Sequence, residues 1–484
     1  MDITDKISTG IKNLDVILNG GIPKYSLNII GGPPGTGKTI LAQQIIFSNA
    51  SAENKVPYLV TTSEPTIKML RYQQEFTFFD REKVDQGAVM YLNIADVVQN
   101  EGLAGVTRVI REYLEKYSPP ILGIDSFKAI HDMSQSAADI REFAYNLTNA
   151  LVVSECTSFL IGEYNYDDIV GAPIFAIADG IIMLESERQG LQDVRYINII
   201  KMRGVAYFRG RHPFTISRDG IEVYPRIKTP DQPPYYEVGK TRIAIGIEGL
   251  DAMMQGGFPK SSVTLVAGGS GVGKTLIGLH FITEGVRRKE PGVYVSFQET
   301  PGYLNTLGKG FGWNLDEMQQ TKLLKVLYTS PVEMSVDQHT MVIKNCINDI
   351  GAKRVVIDSL SDIEIATPDK VRYRDYVYSL ANYFRAQGIT SLLTTEIPEL
   401  FGTVQLSSHG ISFVSDNIIL LRYVELGSKI TRALSILKMR GSDHDKAMKE
   451  FEITSKGIQV LGEFEGAQGL MSGSPTLYGK DSNS

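Results

Sequence analysis

Cysteine is scarce. Only Cys156 and Cys346 occur, far apart and each within an apolar segment. That argues against a disulfide framework, and buried thiols in a reducing cytosol are expected. Long apolar runs are missing as well. None reaches membrane-spanning length, and the opening Met1-Asp-Ile-Thr-Asp-Lys6 has no apolar targeting core. A cytoplasmic protein with no membrane partner is expected. Basic runs interleaved with aromatics are lacking, and the formal net charge is −6, which disfavours a nucleic-acid partner. His131, His280 and His339 show no ligand spacing and receive no metal role. What remains is ordinary for a soluble protein, 43% hydrophobic and 21% charged, and 484 residues are enough for two or three full cores.

Glycine-rich loops stand out against this background. Gly32-Pro-Pro-Gly35-Thr36-Gly37-Lys38-Thr39 follows the apolar run 26–30 and precedes residues 40–47, which have a helical apolar rhythm. A strand, a glycine-rich loop ending Gly-Lys-Thr and a helix make a phosphate-binding loop. Its backbone N–H groups and the helix N-terminus would close on phosphate oxygens, with Lys38 reaching the β/γ-phosphates and Thr39 ligating Mg²⁺. The element recurs as Gly268-Gly-Ser-Gly271-Val272-Gly273-Lys274-Thr275, again between strand-like and helix-like runs. One such match can be a chance loop; two in matching contexts point to nucleotide.

The repeat extends well beyond the loops. Residues 9–15 match 245–251, and 20–24 match 256–260. Lys38 and Lys274 are 236 positions apart, Asp125 and Asp358 are 233 apart, and Arg203 and Arg440 are 237 apart. So long a period means one duplicated domain, not a solenoid. The expected layout is a first domain at 1–225, an extended proline-containing linker at 226–240, a second domain at 241–466 and a flexible tail at 467–484. Apolar runs alternating with amphipathic stretches predict α/β units, each a mostly parallel twisted sheet with helices on both faces.

Other repeated residues complete the candidate site. Asp125 and Asp358 each end an apolar strand and would hold Mg²⁺ beside the loop; the alternative is an Asp that caps the next helix. Glu64 and Glu299 follow the strand after the loop helix. They would orient or deprotonate the attacking group, or simply open the next helix on the surface. Lys201-Met202-Arg203 recurs as Lys438-Met439-Arg440, with Arg195 and Arg432 six residues earlier in each half. Cations spaced i, i+2 on a strand share a face. Alone they would be a solvated pair; repeated at the loop's period, they become candidates for γ-phosphate contact across a subunit boundary.

Together these motifs resemble the KaiC family, duplicated RecA-like ATPases with autokinase activity in bacterial circadian clocks. The resemblance runs from about Lys6 to Thr476 and is densest around 416–425 and 438–446. It implies a homohexameric double ring with ATP and Mg²⁺ between neighbouring subunits. Each loop would face Lys201 and Arg203, or Lys438 and Arg440, of the next chain, with Gly441, Ser442 and His444 continuing the second surface. It implies ATP hydrolysis in the first half, phosphoryl transfer in the second, and regulatory protein partners. Two departures stand out. Where the family has two consecutive glutamates, this chain has Ser63-Glu64 and Gln298-Glu299, and neither serine nor glutamine is an effective base. Where the family has an adjacent Ser-Thr acceptor pair, this chain has Ser412-Phe413, leaving Ser412 as the one candidate acceptor; the alternative is a plain strand-edge serine. Phe175-Ala176 stand there in the first half. A signalling scaffold that binds ATP with little turnover is therefore the alternative; a RecA-like recombinase ranks third, because shared fold is weak evidence for function.

Overall fold

The computed structural model describes residues 6–61, 66–133, 136–189, 192–227, 241–330, 335–367, 369–397, 413–426, 429–464, 467–468 and 476–477. Glu64 and Ser412 lie outside the described residues, as do 228–240 of the expected linker and most of the expected tail. The chain forms two compact units, Met1–Arg226 and Ile227–Ser484.

The first unit is built on nine strands: β1 Leu27–Gly31, β2 Val56–Val60, β3 Val89–Asn93, β4 Ile121–Asp125, β5 Thr157–Gly162, β6 Gly180–Gln189, β7 Gln192–Met202, β8 Arg211–Ser217 and β9 Gly220–Val223. They lie in the order β3-β2-β4-β5-β1-β6-β7-β8-β9. The six strands from β3 to β6 are parallel, and β7, β8 and β9 continue the sheet antiparallel.

The second unit repeats this plan. Its strands are β10 Val263–Gly268, β11 Gly292–Ser296, β12 Leu324–Tyr328, β13 Arg354–Asp358, β14 Thr390–Glu396, β15 Asn417–Leu426, β16 Lys429–Met439, β17 Lys449–Thr454 and β18 Gly457–Glu463. Their order, β12-β11-β13-β14-β10-β15-β16-β17-β18, is that of the first unit strand for strand. Both units are thus the expected tandem α/β domains, with an antiparallel extension the apolar alternation did not announce.

Each sheet is covered on both faces, which is why its central strands are buried without a break. Ile30 of β1 packs with Leu14, Ile17, Leu41 and Ile45 from helices on one face. Leu27 and Ile29 pack with Val106, Ile110, Phe143 and Leu147 on the other. Val266 and then Val263 and Leu265 divide the same way in the second unit. Each fully buried leucine or isoleucine contributes roughly 2 kcal/mol. Among the described residues, no helix is long and apolar enough to cross a membrane.

Strand polarity fixes where chemistry can occur. The loops after β1 and β10 lie at the carboxyl ends of the parallel strands, where open α/β sheets bind ligands. Strands β7 and β16 run the other way, so their carboxyl ends lie at the opposite edge. There Gly180 pairs with Met202, and Asn417 pairs with Met439.

Candidate nucleotide site

The helices Lys38–Asn49 and Lys274–Arg287 begin at Gly37 and Gly273, with φ of 99° and 117° and no side-chain cap. Only glycine adopts these angles freely. Neither helix has an acidic residue in its first turn. The N–H groups and the positive end of each helix dipole are therefore left for an external anion. A Cβ on Gly32 would lie 2.1 Å from the Leu184 carbonyl oxygen, so the loop passes too close to β6 for any other residue.

Lys38 Nζ donates to the Pro33 carbonyl at 2.8 Å, and Lys274 Nζ donates to Gly268 and Gly269 at 2.9 and 2.8 Å. Burial pushes both ammonium groups below their ordinary value, against the pull of nearby carboxylates. Those carboxylates are Glu163 and Asp125 in the first unit, Glu396 and Asp358 in the second. Thr36, Gly35 and Gly271 lie on the same loops, with Thr36 donating to Pro33 at 2.8 Å. Val272 is wholly buried in the core, so only its backbone can meet a ligand.

Thr39 donates to Asp125 Oδ2 at 2.7 Å, and Tyr58 donates to the same oxygen at 2.8 Å. In the second unit Thr275 and Tyr294 make the matching bonds to Asp358, both at 2.8 Å, and Thr394 takes the other carboxylate oxygen at 2.5 Å. Burial pushes the Asp125 carboxyl up, while the Thr39 and Tyr58 hydrogen bonds hold it down. A buried carboxylate next to a hydroxyl, at the foot of a phosphate loop, is the hard-oxygen donor set Mg²⁺ prefers. The residues fit that ion. Neither aspartate accepts a backbone N–H as a helix cap would among the described residues.

Glu299 follows β11. Its N–H donates to Ser296 Oγ at 3.1 Å, and burial, then the nearby Asp358, raise its carboxyl pKa. Gln298 instead donates Nε2 to Asp362 at 2.8 Å.

The Lys-Met-Arg segments lie at the far edge. Lys201 Nζ donates to the carbonyls of Ala176 and Phe175 at 3.1 and 3.4 Å, and Arg203 pairs with Asp179 at 3.1 Å. Lys438 donates to the Ser415 carbonyl at 2.7 Å, and Arg440 stands 3.7 Å from Asp416. Burial and then the adjacent arginine hold both lysines below their ordinary pKa. Arg203 and Arg440 fall one residue beyond their strands, in turns. A one-residue bulge precedes each lysine, at Ile200 and Leu437. Met202 and Met439 point into the cores, so they too can offer a ligand only backbone.

Arg195 and Arg432 are not beside these cations but six residues back, paired with Ser186 and Tyr423 beyond the end of the loop strand. The Nε of each is buried without a hydrogen-bond partner among the described residues. Gly441 turns the chain with φ 68°, Ser442 is engaged by Arg242 and donates to Gln255 at 3.1 Å, and His444 has a buried Nδ1 without a partner among the described residues.

Sequence reasoning missed Tyr58 and Tyr294, and also Glu163 and Glu396. Glu163 directly follows β5, whose Gly162 pairs with Gly31, and Glu396 pairs with Gly268 itself. Their signal was in the repeat: they are 233 positions apart, the same offset as the two aspartates.

Comparison with known proteins gives a consistent answer. The family profile described as the ATPase KaiC matches the chain twice, over residues 7–228 and 243–465. The chain is 30% identical over 493 residues to the circadian clock oscillator protein KaiC of Picosynechococcus sp., covering 99% of this chain and 94% of that protein. It is 29% identical over 493 residues to the circadian clock oscillator protein KaiC 1 of Synechocystis sp., covering 99% and 93%. With the KaiC of Thermosynechococcus vestitus it shares 28% identity over 490 residues, covering 98% and 93%.

Proposed function

The chain belongs to the KaiC family of ATPases, and on that premise we propose that it forms a homohexameric double ring that binds and hydrolyses ATP at seams between neighbouring copies. Its role would be regulatory and clock-like, as the names of its relatives suggest. One observation carries the reading. Lys201 and Arg203 lie at the opposite edge of the sheet from their own phosphate loop, and Lys438 and Arg440 repeat this. Cations so placed serve another copy's phosphates, not their own.

Within each seam, Lys38 or Lys274 binds the β/γ-phosphates and the uncapped helix N-terminus receives the anion. Thr39 with Asp125, and Thr275 with Asp358, hold Mg²⁺, which when bound neutralises phosphate charge. Glu64 and Glu299 orient the attacking water. Lys201, Arg203, Lys438 and Arg440 of a neighbour stabilise charge on the γ-phosphate. Gel filtration of pure protein with and without ATP, alongside a phosphate-release assay, tests this. Expected are an ATP-dependent hexamer, turnover lowered by Arg203→Ala and Arg440→Ala, and one lost nucleotide per chain in Lys38→Ala or Lys274→Ala. A chain that stays monomeric at saturating ATP overturns it.

In the second unit we place a phosphoryl acceptor at Ser412. Label from γ-labelled ATP is expected on wild type and absent from Ser412→Ala; equal labelling of both rejects Ser412.

A second reading is an ATP-dependent signalling scaffold with little turnover. The Gln298–Asp362 hydrogen bond favours it, because a tethered amide stands where the family has an acid. It predicts ring assembly with ATP alongside negligible phosphate release, and rapid turnover abolished by Glu299→Gln defeats it.

A further inference from the structure

Resting on the seam reading above, we propose that Asp179 and Asp416 are positioning residues for the arginine each unit offers its neighbour, and that buried Arg385 loosens this hold in the second unit alone.

The two aspartates occupy one architectural place. Each precedes the strand beside the loop strand. Asp179 N–H donates to Leu27 O at 2.8 Å, and Asp179 Oδ2 accepts the Leu27 N–H at 3.1 Å. Asp416 makes the same two bonds with Val263, at 2.8 and 2.9 Å. Each backbone carbonyl also accepts the N–H of the arginine in question, Arg203 at 2.9 Å and Arg440 at 3.0 Å. One aspartate therefore ties the start of the phosphate-loop strand to the turn carrying the exported cation.

The side chains then part company. In the first unit Asp179 Oδ1 accepts from Arg203 at 3.1 Å, and the other guanidinium nitrogen reaches the Ala176 carbonyl at 3.4 Å. Arg203 is thus fixed at two points. In the second unit Asp416 Oδ2 accepts two hydrogen bonds from Arg385, at 3.2 and 3.0 Å. Among the described residues Asp416 Oδ1 is buried with no hydrogen bond, and Arg440 stands 3.7 Å away from it. One carboxylate there faces two guanidinium groups, so it neutralises Arg440 less and orients it less.

The cause is a single substitution within the repeat. Arg385 is the sixteenth residue of the helix Lys370–Ala386, and the sixteenth residue of the matching helix Ala137–Val153 is Val152. Val152 is 55% exposed. The first unit thus has no second arginine at this place, and its finger is held. The second unit's finger is free to move between Asp416 and a neighbour's phosphates.

ATPase kinetics on the full chain, with the second loop silenced by Lys274→Ala, test this. Asp179→Asn keeps an acceptor for the Leu27 N–H but removes the charge. It is expected to lower kcat about two- to fivefold without raising KM for ATP, since Arg203 loses orientation but not charge. Val152→Arg, at an exposed position, is expected to act in the same direction. In an Arg203→Ala background Asp179→Asn is expected to have no further effect. If Arg203→Ala itself leaves turnover unchanged, the seam reading fails. If Arg203→Ala lowers turnover but Asp179→Asn does nothing, or costs as much with Arg203 absent as present, the positioning role is overturned. A silent Val152→Arg overturns the part assigned to Arg385.

Discussion

Thr39 and Asp125 share a hydrogen bond of 2.7 Å across 86 residues of sequence, and Thr275 repeats it with Asp358 at 2.8 Å. The bond joins the first turn of the loop helix to the end of the next strand but one in the sheet, so the two oxygens are held together by the fold itself. Thr39→Val removes one ligand and leaves a buried carboxylate short of a donor. We expect Mg²⁺-dependent nucleotide affinity in the first unit to fall at least tenfold, with Thr275→Val doing the same in the second. Fluorescent-nucleotide titration with Mg²⁺ and with chelator checks this, and the variants are expected to match wild type once Mg²⁺ is removed.

Glu163 and Glu396 stand near the loop lysines, where they would oppose a bound phosphate. Each acts on the loop lysine, and neither carboxylate accepts a hydrogen bond among the described residues. Glu163→Gln is expected to lower KM for ATP about two- to fivefold at low ionic strength, the advantage shrinking as salt screens it. An unchanged KM across the salt series would show that the carboxylate faces away from the nucleotide.

Much of this was legible before the fold was known, and the reasons differ by residue. The loops were visible because a Gly-Lys-Thr turn needs residue types that little else needs, and Asp125 and Asp358 because each ends an apolar strand. Glu163 was not visible, since one acid after an apolar run looks like any strand end until the pairing of Gly162 with Gly31 puts it beside the loop. The antiparallel extension escaped because the exposed stretch from Ser186 to Gln189 is held by backbone pairing, with no buried face to mark it. Asp179 and Asp416 escaped because their partners are backbone groups and arginines distant in sequence.

Arg354 is enclosed almost completely and holds Glu290 at 2.5 Å, with further bonds to the carbonyls of Ala244 and Phe281. Ile121 begins the matching strand of the first unit, so this cluster belongs to the second unit alone. Arg354→Ala removes all of these bonds and leaves the Glu290 carboxylate without its partner. It is expected to destabilise the second unit by about 3–5 kcal/mol. Hydrogen exchange resolved by peptide checks it: protection is expected to fall across 263–463 and to hold across 27–223.

Acid is expected to act on the same unit. Burial pushes both His280 and His339 down to about 4. His280 accepts the Ile458 N–H at 3.0 Å and is needed neutral. The unfolded chain binds protons on these rings below about 6.5, whereas the folded chain resists until about 4. Stability present above 6.5 is therefore lost as pH falls through that window, by about 2 kcal/mol per histidine at pH 5. Denaturant midpoints at pH 7 and pH 5 measure the loss, and His339→Phe is expected to shrink it.

The two loop helices start without a capping side chain, at Gly37 and at Gly273. Whatever anion fills each cradle does the work a serine or aspartate does elsewhere, so occupancy and folding become linked quantities. A nucleotide present at a hundredfold excess over its dissociation constant adds about 2.7 kcal/mol to the native state. A chain with both cradles filled is then expected to resist proteolysis longer than an empty one.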